Sequence, residues 1–129
     1  MRYAFILVLS LFVFTSGWAQ SDITPAVINA LKKGDAAALA AHTMPQVEMT
    51  LPGKEGLYPQ AQAQQLLTQF FKENVPQSFA VKHQGTSKLD DQFRIGELIT
   101  SGGVFRVTFF MKKNNNALQI KQLKIEPAG

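Results

Sequence analysis

The chain has 129 residues, 13 basic against 9 acidic, a formal charge of +4 and no cysteine. That size suits a single domain, and the missing thiols exclude disulfide staples, thiol nucleophiles and cysteine-based zinc or iron–sulfur centres. The excess of positive charge is too small for a nucleic-acid binder, which needs a basic stripe on one face.

Met1-Arg2-Tyr3 is a short basic start, Ala4 to Phe14 is an apolar run broken only by Ser10, and Thr15 to Ala19 turns small and polar. This three-part plan predicts a signal peptide over residues 1–19, cut after Ala19, and a periplasmic or secreted domain over residues 20–129. The competing reading is an uncleaved anchor, for which the run is at the short limit of a ~30 Å hydrocarbon core. A lipid anchor is excluded because it requires a cysteine at the cut. No stable membrane anchor is expected after cleavage.

In the remaining chain, Thr24-Pro25 predicts a helix start, with Thr24 as cap and Pro25 in the first turn. Ile23, Val27, Ile28 and Leu31 form its apolar stripe, and Lys32-Lys33-Gly34 closes it. Asp35 reads as the cap of a second, short helix over Ala36–Ala41. Gln46 to Leu51 alternates as a half-buried strand. Pro52-Gly53 turns the chain, Gly56-Leu57-Tyr58 is a candidate return strand, and Pro59 opens the main helix. That helix carries Ala63, Leu66, Leu67, Phe70 and Phe71 inward and a glutamine-rich face outward.

Four strands follow. Ser78 to Gln84 places Phe79, Val81 and His83 on one face. Asp90-Asp91 marks a turn with solvated acids, and Phe93 to Thr100 is the next strand. Ser101-Gly102-Gly103 is a hairpin turn; it lacks the Gly-x-Ser-x-Gly pattern of a nucleophile elbow. Val104 to Lys112 alternates strongly, and Asn114-Asn115-Asn116 turns the chain again. In the last strand the apolar phase slips between Ile120 and Leu123, which predicts a β-bulge near Lys121-Gln122. The expected fold is α+β: a curved antiparallel sheet of four to six strands, its concave face covered by two or three helices from the N-terminal half.

The opening amphipathic helix with Lys33-Gly34-Asp35-Ala36, then Val47-Glu48-Met49, the long Gln-rich helix and four closing strands resemble the nuclear-transport-factor-2-like superfamily of cone-shaped α+β rolls. That superfamily includes ketosteroid isomerases and polyketide cyclases. Gln62-Ala63 with Phe70-Phe71, Pro76-Gln77-Ser78-Phe79, His83-Gln84-Gly85, Ile95-Gly96 and Phe105-Arg106-Val107 resemble more closely a family of short exported bacterial proteins of unknown function within it. The resemblance implies a fold and a cone-shaped cavity. It transfers no catalytic set residue by residue.

Four residues are candidates for a ligand site. His83 is a polar group among apolar neighbours, either at a pocket floor or satisfied within the core. Arg106 stands mid-strand and can hold a carboxylate or phosphate with two parallel hydrogen bonds, or lie on a solvated face. Tyr58 can point its phenol into the cone mouth or pack its ring beneath the next helix. Glu97 shares a face with Phe93, Ile95 and Ile99, which makes it the one credible buried carboxylate; exposure at a sheet edge is the alternative. No phosphate loop, dinucleotide motif or histidine spacing for a metal is present, so no cofactor is expected. The leading expectation is a non-catalytic module that binds a small apolar or anionic molecule, or an envelope protein. The alternatives are an isomerase or cyclase using Glu97 or His83 as base, and a structural component that dimerises through a sheet face carrying Val104 and Phe110.

Overall fold

A computed structural model describes residues 22–114 and 117–129; the predicted signal peptide and Asn115-Asn116 of the predicted turn lie outside the described residues. Among the described residues no helix is long and apolar enough to cross a membrane.

Helix α1 spans Thr24–Lys33 and buries Val27, Ala30 and Leu31. Its cap differs from expectation. Thr24 is already helical, and its N–H donates to Asp22 Oδ1 at 2.9 Å. Thr24 instead sits buried, with its hydroxyl 3.9 Å from Met111 Sδ. Gly34 ends the helix at φ 67°, a left-handed conformation that glycine adopts without steric cost. Asp35 caps α2 (Ala36–Ala41) as expected, accepting from the Ala38 N–H at 3.0 Å. Strands β1 (Thr43–Leu51) and β2 (Lys54–Pro59) form a hairpin. Helix α3 (Gln60–Glu73) follows, and Gln60 Nε2 donates to the carbonyls of Ala40 and Thr43, tying its first turn to the end of α2.

The second half of the chain is β3 (Pro76–Thr86), β4 (Gln92–Thr100), β5 (Gly103–Asn114) and β6 (Ala117–Pro127). The six strands make one curved sheet in the order β2-β1-β6-β5-β4-β3. Four ladders are antiparallel, whereas β1 runs parallel to β6. This departs from the all-antiparallel expectation because no hairpin joins β1 to β6. Tight turns dictate direction only between strands they connect.

Helix α1 packs against β3, α3 packs against β1 and β2, and α2 contacts both other helices. Alternation turns Val47, Met49, Leu98, Val107, Phe109 and Met111 toward them, each at most 1% exposed. Phe70 of α3 meets Phe105 edge-on at 5.1 Å between ring centres, a favoured aromatic geometry. The predicted bulge is present: the β5–β6 register shifts between Phe110 and Met111, leaving Lys121 as the extra residue. Ile120 and Leu123 therefore both face inward despite their odd spacing. The centre of the concave face is filled core, and among the described residues no helix covers the other face of the sheet.

Candidate functional site

Three of the four residues expected at a cone cavity lie on the outside of the sheet. On β3, Val81 opposes Gly96 and His83 opposes Ile95, so Lys82 is an extra residue in a bulge. An inserted residue reverses the alternation beyond it. His83 accordingly leaves the face of Phe79 and Val81 and stands exposed on the outer face. Glu97 is also exposed there, and not through an edge position, since β4 is flanked by β3 and β5. Glu97 directly opposes Arg106, which in turn opposes Glu126 on β6. Cross-strand neighbours at such positions have Cβ atoms roughly 5 Å apart. Arg106 thus stands exposed between two carboxylates, and its charge is locally offset.

His83, Glu97 and Arg106 come together with Lys82, Ile95, Gly96 and Ala128 around a shallow recess of about 170 Å³. Tyr58 does not join them. It opposes Val47 on the inward side of β2, half-buried against the core, with its ring along Gly56. Three of the four candidates therefore share one place, and the fourth serves the core at the opposite side of the sheet.

An apolar stripe runs along the same outer face. Phe93 opposes Phe110, Ile95 opposes Thr108, and Ile99 opposes Val104. Ile99 and Val104 remain 37% and 40% exposed. The Phe93 and Phe110 rings lie 5.9 Å apart, and the Phe93 ring also covers Gly85 on β3, where a Cβ would come within 2.9 Å of it. The pair Glu97–Arg106 interrupts this stripe with one charged row.

Two groups had no place among the expected site residues. Asp91 was expected to be solvated at a turn, yet it is 3% exposed and ion-paired with Lys121 of the β6 bulge. Nothing in the local pattern around Asp91 indicates this, because its partner lies across the sheet. Arg94 is half-buried on the concave side, where the alternation with Gly96 and Leu98 does place it. It donates through Nη1 to the Phe93 carbonyl at 2.9 Å and through Nη2 to Gln92 Oε1 at 3.2 Å. Its Nε is buried and has no acceptor among the described residues. Among the described residues no cluster of histidine and carboxylate groups fit to hold a metal occurs.

A curved six-stranded sheet with N-terminal helices on one face and this core defines an α+β roll of the nuclear-transport-factor-2-like, or cystatin-like, class. A ketosteroid isomerase-like protein from Erwinia carotovora atroseptica shares the fold at 12% identity and a TM-score of 0.66, over 79% of this chain and 88% of that one. The particular family follows from the sequence: residues 24–126 match the domain of unknown function DUF4783, and the chain belongs to that family. Crystal structures of family members are similar to it. The Bacteroides uniformis protein is 30% identical over 84% of this chain and 99% of its own, with a TM-score of 0.77. The Bacteroides ovatus protein is 32% identical over 81% and 94%, with a TM-score of 0.74. No curated protein matches the chain.

Proposed function

We propose that this protein is an exported, non-catalytic interaction module that works through the outer face of its sheet. The observation that carries the reading is the stripe of Phe93, Ile95, Ile99, Val104 and Phe110 on the central strands, crossed by the Glu97–Arg106 row and covered by no helix among the described residues. Apolar surface that is neither buried nor scattered favours a protein partner. The charged row gives such a surface orientation, because a mismatched partner would strand a charge. A small molecule held at the cone centre has less support, since those positions are occupied by core side chains.

The isomerase or cyclase reading required a carboxylate or histidine base enclosed with its substrate. Glu97 and His83 are exposed on the opposite face, so neither is enclosed with a substrate. A homodimer is the favoured form of the interaction, because adjacent Glu97 and Arg106 make this face self-complementary about a two-fold axis.

The test is photo-cross-linking in the native host from a probe placed at Thr108, with Gln64 on the exposed side of α3 as control. Cross-links to another protein or to a second copy from position 108 alone are the expected result. Equal yields at both positions, or none at position 108, would remove the outer face as the working surface. Mass spectrometry of the host-purified protein checks export: a chain starting at Gln20 is expected, and retention of Met1–Ala19 refutes the cleavage.

A further inference from the structure

We infer, resting on the self-association proposed above, that two copies meet about a two-fold axis running parallel to the strands between β4 and β5, so that Glu97 of each copy reaches the partner's Arg106. Four charges of the outer face fall in one row: Glu126 on β6, Arg106 on β5, Glu97 on β4 and Lys82 in the β3 bulge. Register sets the first three side by side, and Lys82 lines the same recess as Glu97 and Arg106. From β6 to β3 the signs alternate: negative, positive, negative, positive. Among the described residues the ion pair within the subunit is Asp91–Lys121, and none of these four charges takes part in it.

An alternating row discriminates among the ways in which a sheet face can meet its own copy. Packed sheets keep their strands nearly aligned or cross them at near right angles. A two-fold axis along the strands, between β4 and β5, keeps every row level and exchanges its two sides. Glu97 then lies over the partner's Arg106, and Glu126 lies on the side of the partner's Lys82. The apolar rows match under the same rotation. Phe93 comes over the partner's Phe110, Ile95 over the partner's Thr108, and Ile99 over the partner's Val104, because these are the register pairs of β4 and β5. The rotation also covers Ile99 and Val104, the most exposed members of the stripe.

The other arrangements set like charges together or charge against apolar surface. An axis along the charged row itself stacks Glu97 on the partner's Glu97 and Arg106 on the partner's Arg106, and like charges facing one another across an interface cost several kcal/mol. Shifting that axis toward Ile95 or Ile99, or crossing the two sheets at right angles, moves the charged row onto the apolar ones. Ions then lose water without gaining a partner. The axis parallel to the strands avoids both penalties.

The chain carries no cysteine, so each introduced thiol is unique. Val104→Cys protein is mixed with Ile99→Cys protein, and separately with Thr108→Cys protein, and each mixture is oxidised and read by mass spectrometry. A disulfide between positions 104 and 99 of unlike chains is expected. Positions 104 and 108 should stay unlinked, because they lie about 14 Å apart along the strands in this arrangement; an axis along the charged row would instead bring them together. In sedimentation equilibrium, Glu97→Arg should weaken dimerisation about tenfold or more, and Glu97→Arg/Arg106→Glu should recover most of that loss. The orientation is overturned, with the parent still dimeric, if 104–108 links equal or exceed 104–99 links, if neither mixture links, if Glu97→Arg dimerises as tightly as the parent, or if the double variant is no tighter than the single one. Should Glu97→Arg fail to fold, the disulfide comparison alone decides. A parent that stays monomeric at every concentration overturns the self-association itself, and the orientation with it.

Discussion

Asp22 shows how much a single side chain outside any regular element can matter. Hydrogen bonding from Thr24 is the largest cause holding its carboxyl below the ordinary value of 3.8; partial burial opposes this, and the Arg94 charge adds to it. The folded state therefore favours the carboxylate. Its contribution is complete above the ordinary aspartate range and is lost as the pH falls through the lower folded value. Asp22→Ala should cost about 1 kcal/mol at neutral pH, as a lost cap does. In urea unfolding, the gap between mutant and parent should close on acidification; a gap independent of pH would refute the assignment. The Asp91–Lys121 pair behaves differently because one partner is buried. Lys121→Met leaves an uncompensated carboxylate and should cost about 2–3 kcal/mol, while Asp91→Asn, which leaves a half-exposed lysine, should cost less. Equal losses in the two variants would mean that the pair is not the source of the effect. Residues of this kind were the least legible in the sequence. Asp35 was readable because its acceptor duty is local, three residues along the chain, whereas Asp91 depends on a lysine thirty positions away.

At the scale of elements, alternation located the strands, and its breaks decided which way side chains point. The slip between Ile120 and Leu123 was readable because both flanking pairs are apolar. The bulge at Lys82 is not, since Lys82, His83 and Gln84 offer no apolar beat to lose, and simple alternation therefore places His83 on the face of Phe79 and Val81. Arg106 and Glu97 kept their phase, but a phase alone does not say which face the helices cover. A second constraint on these strands is steric. A Cβ on Gly96 would meet the Phe79 ring and lie 2.7 Å from the Ala80 carbonyl oxygen. Gly96→Ala should therefore cost about 1–3 kcal/mol, and truncating the ring in Gly96→Ala/Phe79→Ala should cost less than the two single changes summed. Additivity in that double-mutant cycle would show that the ring is not the obstacle.

For the whole molecule, the helices and both central hairpins followed from pattern, while the parallel β1–β6 ladder required knowing which strands meet without a turn between them. The layered result leaves two kinds of surface: a helical layer rich in glutamine, and an open sheet face with an apolar stripe. Val104→Glu places a charge on that stripe at a 40% exposed position. It should leave the thermal midpoint nearly unchanged and abolish self-association in sedimentation velocity. Parent and variant that both sediment as concentration-independent monomers would restrict the face to partners other than a second copy.

Among the described strands, β6 alone joins the β1–β2 hairpin to the β3–β4–β5 meander within the sheet. The second side of β1 must therefore wait for the last strand to be synthesised before it is paired. Such long-range closure slows folding relative to chains built from local contacts. Under the export proposed above, which would thread the polypeptide in extended form, that delay would be useful: the part already made has no complete sheet to fold into, and the domain would set its shape only after its final segment had followed the rest across.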